Sequence, residues 1–260
     1  MLNESFEKTV TSEAVESWRY PRFFCENTGD TVIITGGDAS HITRVLRMRA
    51  GDLAIVCDCA GNDLLCRITS ASEGAVELEI LERKPSEGEP SVSVRLFQCM
   101  PKSDKMDFIV QKAVELGASE VIPVISKRCV SRPDDKSAAK KRERWQRIAE
   151  EAAKQCGRGK IPTVGEMISF EQAVKRSAES GAVGIFFYEC GGVRLNDIPD
   201  IAATRNIDVF IGSEGGFEPW EAELAQKSGL AAATLGTRIL RCETAPVAAL
   251  AVLMNITKNM

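Results

Sequence analysis

The glycines that bear most directly on chemistry sit between residues 210 and 221, in FIGSEGGFEPWE. An apolar strand end, Val209 to Ile211, runs into Gly212, Ser213, Glu214, Gly215 and Gly216, and then into a helix start marked by Pro219 and acidic residues. Bare backbone N–H groups at such a turn can approach an anion, so a phosphate cradle is the first reading. Its chemistry is missing. No Lys-Ser or Lys-Thr follows the glycines, the spacing is not G-x-G-x-x-G, and Glu214 puts a carboxylate where a phosphate would sit. Other reactive groups are sparse. His41 is the single histidine, which removes Ser-His-Asp and Cys-His catalysis unless it takes part itself. The nine cysteines include no C-x-x-C pair, so no zinc site or disulfide framework is expected, and reduced, packed thiols point to the cytoplasm.

The elements that must position these residues fall into two groups. Residues 19 to 84 read as a small β-rich unit, with strand-type runs at 52 to 58, 63 to 70 and 75 to 82 and one helix near 38 to 47. Asp38 or Ser40 is expected to cap that helix, with Ile42, Val45 and Leu46 as its inner stripe. Residues 85 to 90 read as a linker by composition, and residues 1 to 18 as a mobile, acidic extension that fits neither a secretion signal nor a transit peptide. From 91 to 260 strands and helices alternate: strands at 92 to 100, 120 to 126, 183 to 189, 207 to 212 and 230 to 235, and helices at 105 to 117, 137 to 156, 170 to 180, 219 to 228 and 244 to 257. That pattern predicts an α/β domain with a mostly parallel sheet. The last helix is apolar on nearly every side, which predicts burial against a second subunit.

At 44% hydrophobic and 27% charged residues the composition is that of a soluble globular protein, and no apolar run reaches membrane-spanning length. The net charge of −4 hides an asymmetry. Residues 101 to 160 hold fifteen Lys and Arg against nine Asp and Glu, many of the former along one helix. Such a concentration is the footprint of a phosphate backbone; its blander alternative is a solvated helix face.

Three strand ends carry the candidate chemistry: 187 to 189, 211 to 216 and 235 to 245. Ligands of an open α/β sheet bind outside the carboxyl ends of its strands. Here LGTRILRCETA (235 to 245), IGSEGGF (211 to 217), KSDKMDFIVQKAVELGASEVIPVISKRC (102 to 129), RWQRIAEEAAKQCGR (144 to 158) and an early PRFF together resemble the bacterial 16S rRNA (uracil-N3)-methyltransferases over about residues 19 to 260. Ser213 departs from that family's usual Pro, and Lys127 and Lys154 stand where Glu is common.

The resemblance implies a SPOUT-type α/β methyltransferase domain tied in a trefoil knot, an N-terminal PUA-like β-barrel, a homodimer, and S-adenosylmethionine as cofactor. The cofactor would lie against Phe187, Tyr188, Glu189, Ile211, Gly212, Glu214, Gly215, Gly216, Leu235, Gly236, Ile239 and Leu240. Gly215 is expected at positive φ, where a β-branched residue would be excluded. A sulfonium carries no phosphate, so the absent P-loop lysine ceases to be anomalous. Arg241 is the expected stabiliser of a uracil anion, its alternative being an ion pair with Glu243, and Glu243 is the candidate proton acceptor. For contacts to 16S rRNA in the small ribosomal subunit the candidates are Arg22, His41, Arg44, Arg47, Lys102, Lys105, Lys112, Lys140, Lys141 and Arg144. The rival readings are a SPOUT enzyme methylating a ribose 2′-hydroxyl, whose early N-x-G-x-x-x-R-like element is missing from 91 to 130, and a non-catalytic RNA-binding assembly factor.

Overall fold

A computed structural model of the chain describes residues 20–26, 28–72 and 74–260, so the expected extension at 1 to 18 lies outside the described residues. Contacts divide it into two compact units, one running to Glu89 and including Lys154–Lys160, the other comprising Pro90–Ala153 and Ile161–Met260.

The first unit holds five strands: β1 Arg22–Phe24, β2 Thr31–Thr35, β3 Leu53–Cys57, β4 Asn62–Ala71 and β5 Ala75–Pro85. They form a curved, barrel-like sheet in the order β1-β3-β4-β5-β2, antiparallel except where β1 lies along β3. Alternation places Val32 and Ile34 of β2 inward beside Val56, Leu64 and Leu78, all essentially solvent-free. Each such side chain contributes about 1.5–3 kcal/mol through burial. Two register shifts between β4 and β5 bend the pair. β5 runs on to Pro85, and Ser86 N–H donates to Gly61 C=O at 2.8 Å while Glu89 pairs with Arg158 at 2.7 Å. The stretch expected as a linker is thus largely packed into this unit.

The helix expected at 38 to 47 is instead a short α1, Gly36–Ser40, followed by a π-helical turn from His41 to Val45. Neither Asp38 nor Ser40 caps it. Thr35 is the N-cap residue, without a side-chain bond, and Asp38 pairs with Lys154 at 2.8 Å. The wider π turn, seen in Leu46 N–H bonding His41 C=O at 2.9 Å, rotates the following residues off the inner face. Ile42 is therefore buried as expected, whereas Val45 and Leu46 are exposed.

The second unit is built on a wholly parallel sheet. Its strands are β6 Ser93–Cys99, β7 Glu120–Ile125, β8 Thr163–Val164, β9 Ile168–Ser169, β10 Val183–Phe187, β11 Val193–Arg194, β12 Asn206–Ile211 and β13 Ala231–Thr234. The order is β11-β13-β10-β12-β6-β7-β8, with β9 also on β7. Central strands of such a sheet are buried on both faces, and β10, β12 and β6 are accordingly buried along most of their length, with Asp208 and Gln98 as buried polar exceptions. Phe97 stacks on Phe210 at 4.4 Å, and Phe170, Phe186 and Phe217 complete an aromatic core. Asp208, fully buried, is held by Arg95 through two bonds of 2.7 Å. The helices are α2 Lys105–Glu115, α3 Asp135–Cys156, α4 Phe170–Ser180, α5 Pro219–Lys227 and α6 Thr244–Ile256. α4 opens with a reciprocal capping box between Ser169 and Gln172, and α5 with one between Glu218 and Glu221 behind Pro219. α6 packs on α2 through a face containing Ala249, Leu250 and Leu253, and leaves Val252 outward.

Candidate functional site

A cavity of about 470 Å³ opens at the carboxyl ends of β10, β12 and β13. Its walls are three chain segments: Phe187 to Glu189, Ile211 to Gly216, and Ala233 to Cys242, with Ala245 beyond them. All twelve residues expected around a cofactor lie on these walls, together with Arg241. Glu243 does not.

The glycine loop turns tightly, Gly216 N–H donating to Ser213 C=O at 2.9 Å. Gly216, at φ +68°, is the member in the left-handed region, and Gly236 on the opposite wall is at φ +109°. Gly215 has no positive φ, contrary to expectation; what crowds it is Arg128, whose Cβ would stand 3.0 Å from an added methyl. Gly212 lies against the backbone of Gly216, 3.2 Å from where its own Cβ would be. Ser213, which departs from the usual Pro of the family, has a buried hydroxyl without a hydrogen-bond partner among the described residues.

Two cations hold the loop. On one side Lys105, the first residue of α2, places Nζ 2.9 Å from Glu214 Oε1 and 3.0 Å from Glu243 Oε2. The Lys102 N–H adds bonds of 3.2 Å to both Glu214 oxygens. Burial pushes the Glu214 carboxyl up, but the Lys105 bond and the backbone N–H groups of Glu214 and Lys102 outweigh it and hold it at about 2. The Lys105 hydrogen bond also holds Glu243 below the usual carboxylate range. Between them the Cys242 thiol donates to Glu243 at 3.2 Å; burial, that bond and the nearby Glu214 push it up to about 12, which favours the protonated thiol. On the other side Arg128, which follows β7, donates to Gly215 C=O at 2.8 Å, pairs with Glu218 at 3.1 Å and approaches Glu189 at 3.6 Å. Beneath it the fully buried Glu221 accepts the N–H of Lys127 and of Glu218, each at 2.8 Å.

Arg241 is exposed, and its guanidinium makes no ion pair among the described residues. The ion pair with Glu243 weighed as its alternative role is absent; Glu243 pairs with Lys105 instead. The backbone of Arg241 is fixed nonetheless: its carbonyl accepts the N–H of Thr244 and Ala245 at 2.9 Å each, at the head of α6. Ile239 stands 86% exposed at the cavity rim, with Leu240 half-buried beside it.

The residues expected to meet RNA divide sharply. Arg22 is half-buried and gives both terminal guanidinium nitrogens to Asp63, at 2.7 and 2.8 Å, with Cys57 Sγ 2.7 Å away, so its guanidinium is committed within the fold rather than offered to a phosphate. Lys105 is engaged in the site. Lys112 pairs with Glu115 at 2.8 Å, and Arg144 bonds Asp107. His41, Arg44 and Arg47 are exposed around the π turn, His41 lying edge-on to Phe23. Lys102 and Lys140 are exposed, and Lys141 lies over the Trp145 ring at 5.9 Å.

Comparison with known proteins bears on all of this. Residues 88–254 match a family described as an RNA methyltransferase domain, and residues 34–81 one described as an RNA methyltransferase PUA domain. The ribosomal RNA small subunit methyltransferase E of Bacillus subtilis is 35% identical over 88% of this chain and 94% of its own. The chain belongs to the ribosomal RNA small subunit methyltransferase E family. The Mycobacterium tuberculosis member is 30% identical over 86% of each chain. A crystal structure of the family's Neisseria gonorrhoeae member bound to S-adenosyl methionine superposes with a TM-score of 0.83 at 33% identity, covering 91% of this chain and 98% of that one. The expected architecture, a PUA-like sheet domain joined to a SPOUT-type α/β domain, agrees with these family members.

Sequence reading missed Arg128, Glu218 and Glu221. Arg128 lay inside the quoted SKRC segment without a role, and a capping box with Glu at both ends has only the Pro219 start as its visible signal.

Proposed function

We propose that this protein is an S-adenosylmethionine-dependent methyltransferase acting on N3 of a uridine in 16S rRNA of the small ribosomal subunit. The observation that carries the reading is the cavity at the three strand ends, lined by a glycine loop and by an arginine with no acidic partner among the described residues. Its size suits a nucleoside-sized ligand. The residues fit the cofactor: glycine backbone permits close approach, the orphaned Ser213 hydroxyl can be satisfied by a polar group, and no lysine demands a phosphate. Gly212, Gly216, Leu235, Gly236, Ile239 and Leu240 would hold it, with Phe187, Tyr188 and Glu189 on the facing wall.

When bound, S-adenosylmethionine supplies a methyl group already activated by its sulfonium. This chain's part is to orient the base and manage one proton. The uracil N3–H is a weakly acidic imide, and its loss spreads negative charge over O2 and O4. Arg241, without an acid partner among the described residues and carried on a fixed backbone, would receive that charge. Glu243 is a poor proton acceptor, since Lys105 holds its carboxyl below the usual range; water or hydroxide takes the proton instead. Phosphate contacts fall to Arg47 on the PUA-like domain and to Lys102, Lys140 and Lys141 on the other. The same reading includes the trefoil knot, a homodimer joined through α6, and work in the cytoplasm where ribosomal subunits mature.

Incubation with labelled S-adenosylmethionine and undermethylated 30S subunits, followed by mass spectrometry of the nucleosides, tests the reading. It predicts 3-methyluridine; a 2′-O-methylated nucleoside or no transfer overturns it.

A further inference from the structure

Lys105 is the side chain that ties the two halves of the site together. It belongs to neither. Its ammonium reaches from the start of α2 to Glu214 in the glycine loop and to Glu243 in the turn before α6, and lies 3.8 Å from Cys242 Sγ. The Glu214 carboxylate is fixed from its other side by the Lys102 N–H, and the turn at Ser103, at φ 56°, brings Lys102 and Lys105 to bear on the same group. Two carboxylates facing one another across a loop and a turn would repel; one cation between them converts that repulsion into a bridge.

The bridge has a second effect on Arg241, two residues before Glu243. Glu243 is the acid nearest to it in sequence, and Lys105 occupies that acid. Arg241, its backbone already fixed by the Thr244 and Ala245 N–H groups, thereby keeps a guanidinium without an ion pair among the described residues, the combination an anion-stabilising group requires.

We propose that Lys105 is a positioning residue for methyl transfer: it locks the glycine loop to the turn that carries Arg241, and so sets Arg241 against the cofactor cavity, rather than contacting RNA. The proposal rests on the functional reading above. It concerns a residue that does not line the cavity, and its effect passes through Arg241.

The test is a double-mutant cycle on single-turnover transfer to 30S subunits. Lys105→Met is expected to slow transfer roughly tenfold to a hundredfold while leaving the affinity for S-adenosylmethionine, measured by calorimetry, within about threefold. In an Arg241→Ala background the same substitution is expected to change the rate little, because its route is already gone. Glu243→Gln, which breaks the bridge from its other end, should reproduce a large part of the loss, and Lys105→Arg should restore much of the rate. A bridge that merely stabilises the fold predicts losses that add to those of Arg241→Ala and track the melting temperature; either result overturns the proposal, as does a fully active Lys105→Met. Trypsin gives a readout independent of transfer, since loosening the turn should speed cleavage after Arg241 in Lys105→Met. An inactive parent protein would sink the functional reading, whereas unchanged cleavage would sink the bridge.

Discussion

The Glu189 carboxylate fills the space that a side chain on Gly216 would need: a Cβ built there would collide with Glu189 Oε1. Glu189 ends the β10 wall and Gly216 closes the glycine loop, so the two walls of the cavity meet at this contact. Gly216→Ala must displace the carboxylate and also hold alanine at φ +68°, costing about 1 kcal/mol for the backbone alone. We expect it to weaken S-adenosylmethionine binding by roughly tenfold or more. Gly215→Ala meets only Arg128 and should be milder. Calorimetry on both variants checks the order.

Arg241→Ala should lower the single-turnover rate by about 10²–10³-fold with little change in cofactor affinity, because the charge it serves develops only toward the transition state. Its melting temperature should hold, since Arg241 makes no ion pair among the described residues. A normal rate would remove Arg241 from the mechanism.

The pH behaviour has two parts. Glu214, held at about 2 against an ordinary 4.5, contributes stability that is complete above about 4.5 and is lost as pH falls toward about 2. Glu214→Gln should therefore melt lower than the parent at neutral pH, and the difference should close in acid; thermal melts across that range measure it. The transfer rate should rise steadily from about pH 6 to about pH 9, because Glu243, held low by Lys105, has no titration there to produce a plateau.

RNA binding should weaken steeply with salt although the protein carries a net charge of −4. Lys140→Glu with Lys141→Glu should flatten that dependence, whereas Arg144, already bonded to Asp107, should matter less. Filter binding at several salt concentrations separates the two. An unchanged slope would make this helix face a solvated surface.

Val252 is exposed on α6, a helix otherwise dominated by apolar residues. If α6 joins two copies, Val252→Glu should shift the protein from dimer to monomer in light scattering at roughly micromolar concentration.

Strands and helices of the parallel-sheet unit were legible because each is long and strongly patterned; β12 and α4 lie within a residue of where periodicity puts them. The elements that escaped are the short ones: β2 alternates over only five residues, too few for its period to stand out from the chain around it. β8, β9 and β11 are two residues each, and β1 is three. The π turn after α1 escaped because its bonding changes the angular step that a 3.6-residue pattern assumes. In the site, the lining residues were readable from motif position, while the residues that hold them were not. Lys105 and Lys112 look alike in sequence, yet one bridges two carboxylates distant in the chain and the other pairs three residues away. Arg22 likewise reads as a surface base until Asp63 appears opposite it, from a strand 41 residues on.

Holding and lining fall to different strands. The cations that grip the glycine loop follow β6 and β7, whereas the cavity walls follow β10, β12 and β13. Side chains such as Ile239 and Leu240 can therefore be trimmed without loosening the grip. A pocket enlarged in this way is a starting point for accepting sulfonium analogues that carry a longer, tagged alkyl group in place of methyl. The enzyme would then become a reagent that marks its own nucleotide within an intact ribosomal subunit.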